Sequence, residues 1–344
     1  MIGISIAMAT YNGERFIAEQ LASLAAQTHP PRELVVCDDG SSDATLEVVE
    51  AFAKTAPFPV RVHRNQTNLG YVRNFLKAAG LCEGDWIAFC DQDDVWAADK
   101  LATVSEAARR HGDAVLVVHA AAVVDEHLNP TGQIVPRLPR QAVLPPLRQP
   151  PWFKVQGFCS TFDAALVRRF PHDHLPSNLF APGRTQTADK RIVWLANALG
   201  STVILHQPLA KYRRHSANVS GLPQTAPRGA GVSADYDRLR AEVLEEYAQE
   251  LGRFVAMDQP PAIRQRLEAA SDQYARAAGW HRLRLALFES GPPARLRAFG
   301  RLLTLGAYRA PGGGGLGLRA LVRDAALASG FLRPAGGMTA RTDA

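Results

Sequence analysis

Cysteine is scarce in this chain of 344 residues, which contains four, and no two of them lie in a CxxC spacing. They are Cys37, Cys82, Cys90 and Cys159. This spacing excludes a zinc site built from cysteines, and the small number excludes a scaffold held together by disulfides. We expect all four to be reduced thiols in a cytoplasmic protein.

Long hydrophobic runs are also lacking. The longest covers residues 114–124, is eleven residues long and contains His119, whereas a helix needs about 20 apolar residues to span a bilayer. The first ten residues, MIGISIAMAT, carry no basic side chain and resemble a strand rather than a secretory leader. We therefore predict a cytoplasmic protein without a membrane-spanning segment.

Acidic residues are scarce near the C-terminus. Residues 281–333 contain nine arginines against only Glu289 and Asp324, a balance of +7, whereas the whole chain carries +6 and residues 1–280 sum to −1. Nothing in the near-neutral part requires a nucleic-acid partner, and we predict none. The mixture of arginine and leucine in the basic segment suits the anionic inner face of a cell membrane and predicts peripheral attachment there. Packing of these arginines into a domain interface stays open as the alternative.

Hydrophobic residues make up 47% of the chain and charged residues 21%, a balance typical of a globular enzyme. Apolar runs alternate with helical patterns through the first 120 residues. The runs cover residues 2–9, 33–37, 60–63, 86–90 and 114–119, and the helical patterns cover 14–27, 42–54, 71–81 and 97–111. This alternation predicts βαβ units, and therefore an α/β fold with a mostly parallel sheet flanked by helices.

The regular pattern ends after residue 120. Residues 128–152 contain seven prolines and predict a long irregular crossing. Helical patterns return at 163–170 and 185–199, a strand pattern follows at 201–206, and the Pro- and Gly-rich residues 222–232 resemble a linker. Two long helices are predicted beyond it, at 235–256 and 261–289. We therefore predict a catalytic domain over residues 1–221 and a helical, Arg-rich C-terminal region over 222–344.

Polar clusters follow each of the first four predicted strands. They are Thr10-Tyr11-Asn12-Gly13, Asp38-Asp39-Gly40-Ser41-Ser42-Asp43, the segment from Asn65 to Asn74, and Asp91-Gln92-Asp93-Asp94. Open α/β sheets bind ligands at the carboxyl ends of their strands, so all four clusters are expected to line one site.

The last cluster has the chemistry of a metal site. Asp91 and Asp93 offer hard oxygen ligands in an Asp-x-Asp spacing, which suits Mg²⁺ or Mn²⁺. The structural alternative is that these aspartates cap turns and helices, and Asp94 in particular stands where the next helix could be capped.

The segments TYNG, DDGSSD, NLGYVRN and CDQDDVW, in this order and spacing, resemble the family 2 glycosyltransferases. The segments FCDQDDVW and LAKYRRHSANVSG are most similar to those of the rhamnosyltransferase-like bacterial members. The resemblance covers about residues 2–221. It implies the GT-A nucleotide-diphospho-sugar transferase fold, with a helical extension added at the C-terminus.

The resemblance also implies an activity: a metal-dependent inverting transfer of a sugar, rhamnose being one candidate, from a dTDP- or UDP-sugar to a hydroxyl of a saccharide or lipid-linked acceptor. The setting implied is surface polysaccharide synthesis. Two alternatives stay open, a transferase that makes a polyprenyl-phosphate sugar and a non-catalytic protein that binds sugar nucleotides. A dehydrogenase is not indicated, because no GxGxxG follows the first strand.

Site residues follow from the resemblance position by position. The residues matched to nucleotide binding are Thr10, Tyr11, Asp38, Asp39, Asn68, Gly70, Arg73 and Gln92. Asp91 and Asp93 match the pair that binds Mg²⁺ or Mn²⁺. Arg213, Arg214 and His215 are placed to stabilise the departing diphosphate, the alternative being a basic surface turn.

Inverting transfer also needs a base to take the acceptor proton. The matching position is Asp189, although Lys190 and Arg191 replace the aromatic pair usual in the family. The alternative is an aspartate on a helix face, paired with one of those two cations. For the C-terminal helix at 235–256, packing against the catalytic domain and packing against a second copy in a homodimer both stay open. The sequence leaves the sugar, the nucleotide and the acceptor undetermined.

Overall fold

The computed structural model describes residues 2–138, 142–216, 218, 234–308 and 314–332. Contacts divide the chain into two compact units. The first comprises Met1–Pro146, Phe153–Leu175 and Gln186–Asn218, and the second comprises Leu147–Trp152, Pro176–Thr185 and Val219–Ala344. The predicted boundary at residue 221 and the predicted linker at 222–232 lie outside the described residues.

The first unit is built around one sheet. Its strands are β1 (Ile4–Thr10), β2 (Glu33–Asp38), β3 (Val60–Arg64), β4 (Trp86–Cys90), β5 (Val95–Trp96), β6 (Ala114–Val124), β7 (Pro130–Val135), β8 (Ala142–Leu144), β9 (Ser160–Asp163) and β10 (Ser201–Arg213). Its α-helices are α1 (Ile17–Ala25), α2 (Thr45–Ala53), α3 (Tyr71–Leu81), α4 (Lys100–Arg110), α5 (Ala165–Arg168) and α6 (Ala188–Leu199), and a short 3₁₀ helix covers Gly157–Cys159.

The strand order is β3-β2-β1-β4-β9-β6-β10-β5, with β7 added to β6 and β8 added to β10. Strands β1 to β4 are mutually parallel where they pair, and β6 and β10 are parallel to each other. Strand β9 is antiparallel to both of its neighbours, so β6 and β10 run in the same direction as β4. The predicted mostly parallel sheet is confirmed.

The central strands are apolar because both of their faces are covered. Every residue of β2 and of β4 is buried. The register pairs Thr10 with Asp38 and Met8 with Cys90. The polar segments that follow β1, β2 and β4 therefore leave the sheet at the same edge, which is the arrangement that the sequence predicted.

Two predicted elements are wrong in detail. The helix expected at 163–170 is the end of β9 followed by the four-residue α5, because the segment before it inserts as a buried strand between β4 and β6. Strand β10 continues to Arg213 rather than ending near residue 206. Its pairing with β6 shifts register on both sides of Pro208, which lets the strand accommodate a residue that cannot donate a ladder hydrogen bond.

The second unit is helical in its described part, with α7 (Ala234–Val255), α8 (Pro261–Glu289), α9 (Pro292–Thr304) and α10 (Gly317–Ala328). The predicted positions of α7 and α8 are confirmed. Inside this unit Arg284 is buried and donates to both Asp237 and Asp324 at 2.6–2.8 Å, while Tyr308 donates to Asp324 at 2.9 Å. Among the described residues, no helix is long and apolar enough to cross a membrane.

Candidate active site

The turns after β1 and β2 are bonded to each other. The Asn12 amide donates to the Ser41 hydroxyl at 2.9 Å, and the Gly13 amide donates to the Thr45 hydroxyl at 2.7 Å. In return the Ser42 amide donates to the Asn12 side-chain oxygen at 2.9 Å. Asn12 has a φ of +47°, which asparagine tolerates because its side chain bonds locally. The two turns therefore form one rigid wall of the site.

Asp38 lies inside this wall rather than in the open site. Its carboxylate is buried and accepts from the Gly40 and Ser41 amides at 3.1 and 2.9 Å. The hydroxyls of Ser41 and Thr10 also donate to it, at 2.5 and 2.9 Å. Asp38 and Thr10, both predicted to contact a nucleotide, here use their side chains to shape the turn.

Asp39 organises the loop between β3 and α3. Its buried carboxylate accepts from the Asn65 side chain at 2.8 Å and from the Leu69 and Gly70 amides at 2.7 and 2.8 Å. The Asn68 side chain donates to the Asp39 carbonyl at 3.0 Å. Gly70 has a φ of +77° immediately before α3, a conformation that favours glycine. The predicted nucleotide residues Asp39, Asn68 and Gly70 are thus brought together.

Gln92 fixes the main chain of Tyr11. Its carboxamide accepts from the Tyr11 amide at 2.9 Å and donates to the Tyr11 carbonyl at 3.0 Å. The Tyr11 side chain is 52% exposed, so the ring is free to stack on a flat ligand. A Cβ on Gly13 would collide with the same carboxamide. Arg73, on the first turn of α3, is also exposed.

An acidic cluster follows β4. One carboxylate oxygen from each of Asp91, Asp93 and Asp94 lies within 4.8 Å of the others. Burial, together with Asp93 and Asp189, raises the pKa of Asp91 to about 8. Burial, together with the charges of Asp93 and Asp91, raises the pKa of Asp94 well above its usual range.

The donors around this cluster leave one oxygen unused. Asp94 Oδ1 accepts from the Arg213 amide at 3.0 Å, whereas the buried Asp94 Oδ2 has no hydrogen-bond partner within the part of the chain that the structure describes. Confined carboxylates with an unpaired oxygen fit a hard divalent cation, which would supply the missing positive charge. Asp91 and Asp93, with Asp94 behind them, are the residues that would hold it.

The segment after Tyr212 supplies two side chains that contact the cluster directly. His215 Nε2 lies 2.9 Å from Asp93 Oδ2, and the Asn218 side chain donates to the same oxygen at 3.2 Å. The His215 ring packs on Phe16 with centroids 4.5 Å apart. Arg214 is half-buried and lies 5.7 Å from the centre of the Tyr212 ring. His215 therefore lies beside the acidic cluster, and Arg214 directly follows the end of β10.

Arg213 has a different position from the one predicted. Its buried guanidinium donates to the Asp93 carbonyl at 2.8 Å, to the Glu126 carbonyl at 2.7 Å and to the Glu19 carboxylate at 2.5 Å. All three guanidinium nitrogens are committed to protein acceptors, so Arg213 holds the main chain of the acidic loop. A contact with a diphosphate is left to Arg214 and His215.

Asp189 lies in the first turn of α6, which begins at Ala188. Its Cβ is 3.7 Å from the position that a Cβ on Gly157 would occupy. Burial raises the pKa of Asp189, and its charge in turn raises that of Asp91. The predicted base and the predicted metal ligands therefore share one electrostatic environment.

Lys100 is a site residue that sequence reasoning missed. It is buried at the start of α4. Its Nζ donates to the Phe158 carbonyl at 2.8 Å and lies 3.2 Å from the centre of the Trp96 ring. Burial lowers its pKa to about 8, and its charge lowers the pKa of Asp91. The available signal was a lysine at an apolar helix position, directly before the buried Leu101.

Residues 5–175 match the family model described as glycosyl transferase family 2. An uncharacterized protein of Mycobacterium tuberculosis is 27% identical over 222 residues, covering 63% of this chain and 60% of the relative. A dTDP-rhamnosyl transferase of Shigella flexneri is 38% identical over 98 residues, covering 27% of this chain and 34% of that protein. The chain spans about 60% of the length of the first of these relatives.

Among solved structures, S. aureus TarS 1–349 superposes with a TM-score of 0.53 at 18% identity, over 96% of this chain and 91% of that one. The same protein in complex with UDP-GlcNAc gives 0.54 at 17% identity, with the same coverage. At 17–18% sequence identity, this similarity shows a common fold and nothing more specific. With the family match it confirms the predicted GT-A fold with added C-terminal helices.

Proposed function

Because residues 5–175 belong to glycosyl transferase family 2, we propose that this nucleotide-sugar glycosyltransferase moves its sugar onto a hydroxyl group with inversion, assisted by a divalent cation. The observation that carries the proposal is the cluster of Asp91, Asp93 and Asp94, with oxygens within 4.8 Å of one another, in the same electrostatic environment as the half-buried Asp189. Donor, cation and base are thereby assigned to one edge of one sheet.

For the donor we propose a UDP- or dTDP-sugar, with rhamnose as one candidate sugar. The exposed Tyr11 ring offers a stacking surface for a pyrimidine, and Asp39 anchors the loop that would border the base. Names among the similar proteins support this choice, since one relative is a dTDP-rhamnosyl transferase and one structural neighbour was solved with UDP-GlcNAc. The relatives also include an abequosyltransferase. We propose that the activity serves surface polysaccharide synthesis, as the sequence resemblance implies.

For the cation we propose Mg²⁺ or Mn²⁺ held by Asp91 and Asp93. When bound, such an ion neutralises the negative charge that builds on a departing diphosphate. The His215 imidazole stands beside the same cluster, and the half-buried Arg214 precedes it in the chain; we propose that both add hydrogen bonds to the diphosphate oxygens. The unpaired, buried Asp94 Oδ2 supports this assignment.

For the base we propose Asp189. It accepts the proton of the acceptor hydroxyl as the new bond to the sugar C1 forms and the bond to the diphosphate breaks, so no covalent enzyme intermediate is needed. Burial raises the pKa of Asp189, which makes its ionised form a stronger base than an exposed aspartate. A hydroxyl acceptor requires such a base, whereas a polyprenyl phosphate does not, and a half-buried carboxylate with a raised pKa therefore favours the hydroxyl.

Replacing Asp93 tests the assigned cation site. We expect Asp93→Asn to abolish Mn²⁺-dependent binding of UDP or dTDP, measured by titration calorimetry, and to leave the unfolding midpoint unchanged. Asp99→Asn is the matched control, because Asp99 is an exposed acid a few residues further along the chain. Equal nucleotide binding by Asp93→Asn in Mn²⁺ and in chelator would show that the cation is not held there.

A further inference from the structure

A short sequence occurs twice in the second unit. LRAFGR covers residues 296–301 on α9, and LRALVR covers residues 318–323 on α10. Each copy places a leucine before an arginine and a second arginine four residues later. On a helix this spacing sets two arginines along one side of an apolar stripe.

The apolar stripes of both copies face outward. Leu296 and Leu303 lie seven residues apart on α9 and are 56% and 45% exposed, and Leu318 and Val322 lie four apart on α10 and are 71% and 67% exposed. Of the thirteen exposed large apolar side chains in the described chain, seven lie in this region: Leu296, Leu303, Leu305, Leu318, Val322, Phe331 and Leu332. More than half of the exposed large apolar side chains therefore come from this one part of the sequence, which makes it the candidate region for an interaction site.

Other residues of the same helices form a core. Ala298 and Leu302 of α9 pack in one buried cluster with Ala320 and Leu327 of α10. The outward leucines are therefore additional to the residues that fold the unit. We call the exposed side chains of the two helices, namely Leu296, Leu303, Leu318 and Val322 with Arg297, Arg301 and Arg319, the α9/α10 surface.

The charge of this surface has one sign. Residues 290–332 contain six arginines and a single acid, Asp324. Asp324 is buried and bonded to Arg284 and Tyr308, so it offsets none of the outward charge. Arg297, Arg301 and Arg319 are exposed.

We propose that the α9/α10 surface binds an anionic lipid bilayer, with its leucines and valine in the interface and its arginines on the lipid phosphates. Basic helices with an outward apolar stripe lie in the plane of a membrane in this way. Nucleic acid would use the arginines and leave the leucines in water. A second copy would cover the leucines but bring arginines of like charge together.

Vesicle sedimentation of the full chain tests the proposal. We expect binding to vesicles of phosphatidylglycerol and phosphatidylcholine at about 0.05 M salt, loss of binding at about 0.5 M salt, and none to phosphatidylcholine alone. Arg297→Gln with Arg301→Gln should weaken partitioning about fivefold per arginine. Leu296→Gln with Leu318→Gln should weaken it at least as much, even at low salt.

Matched control variants lie on α8 and in the loop before it. Arg264→Gln with Arg266→Gln removes two exposed arginines from α8, and Met257→Gln removes an exposed apolar side chain from the loop before it; neither should change partitioning. Unchanged unfolding midpoints would show that each variant is folded. The proposal is overturned if the leucine variant binds as the wild type does, if anionic vesicles do not bind the wild type, or if the leucine variant instead abolishes a dimer seen by sedimentation equilibrium.

Discussion

Asp189 is the residue whose removal most directly separates binding from chemistry. Asp189→Asn keeps the size of the side chain and removes its ability to take a proton. We expect donor binding to be preserved and transfer to a hydroxyl acceptor to fall about 10²–10⁴-fold, which is the usual cost of losing a general base. Calorimetry with the donor nucleotide and steady-state turnover are the two measurements.

The outcome also decides between acceptors. Turnover of Asp189→Asn within a few-fold of the wild type on a hydroxyl acceptor would remove Asp189 from the chemistry. Unimpaired transfer to a polyprenyl phosphate by the same variant would instead favour the alternative acceptor, because an ionised phosphate needs no base.

The pH dependence of turnover follows from the burial of Asp189. Burial raises its pKa, and the base acts only when ionised, so activity is lost as pH falls through this raised value. We expect the acidic limb of the kcat profile to lie above the usual aspartate pKa of about 3.9. The Lys190 charge lowers the pKa of Asp189, so Lys190→Gln should move the limb to higher pH. A limb that stays in place or moves down would contradict this assignment.

The site residues differ in how visible they are in the sequence. Asp91 and Asp93 stand out because two aspartates in an Asp-x-Asp spacing directly follow a buried apolar strand. The sequence predicts that Arg213 contacts the diphosphate, whereas its guanidinium binds protein acceptors. A basic pair in a sequence does not reveal which of its two guanidinium groups is buried. Lys100 was missed because a single lysine in a helical pattern is ordinarily a surface residue, and only packing shows that it reaches the Phe158 carbonyl.

Helices and strands were predictable where burial determined them. Strands β1, β2 and β4 are almost wholly buried, so their apolar runs give both position and direction. Strand β9 has four residues, too few for a period to be read. The second half of β10 was missed because Pro208 resembles the end of a strand, whereas here the shifted register carries the pairing past it.

The turn after β1 gives a test of how one loop supports another. A Cβ on Gly13 would collide with Gln92, and Gln92 makes two hydrogen bonds to Tyr11. We expect Gly13→Ala to displace the carboxamide and weaken nucleotide binding about tenfold, the cost of roughly two modest hydrogen bonds. Gln92→Ala should cost about the same, since it removes the same support.

The double variant distinguishes this mechanism from a general loss of stability. If both changes act through the Gln92 carboxamide, adding Gly13→Ala to Gln92→Ala should weaken binding no further. Gly80→Ala in α3 is the control, because a Cβ there meets nothing within 4 Å. Additive effects of the two changes on the dissociation constant would disprove the proposed coupling.

The chain combines two units of different character. The first has the cross-bonded turns and the acidic cluster, and the second has a buried ionic network around Arg284 and the basic, apolar α9/α10 surface. The fold class and the positions of α7 and α8 followed from the sequence because periodicity is a local property. The buried pairing of Arg284 with Asp237 and Asp324 could not be predicted from the sequence, because it joins residues that are 47 and 40 positions apart.

The nucleotide preference of the intact protein can be tested without knowing the sugar or the acceptor. A ligand that binds only the folded state stabilises it by about 2.7 kcal/mol when present at 100 times its dissociation constant. We expect UDP or dTDP with Mn²⁺ to raise the unfolding midpoint, GDP to raise it less, and UMP to raise it less than UDP because the cation and Arg214 act on the diphosphate. Chelator should remove most of the shift. A larger shift with GDP than with UDP or dTDP would contradict the proposed pyrimidine donor. Without a cation, the carboxylates of Asp91 and Asp93 should repel the diphosphate. An equal shift in chelator would therefore contradict the cation site.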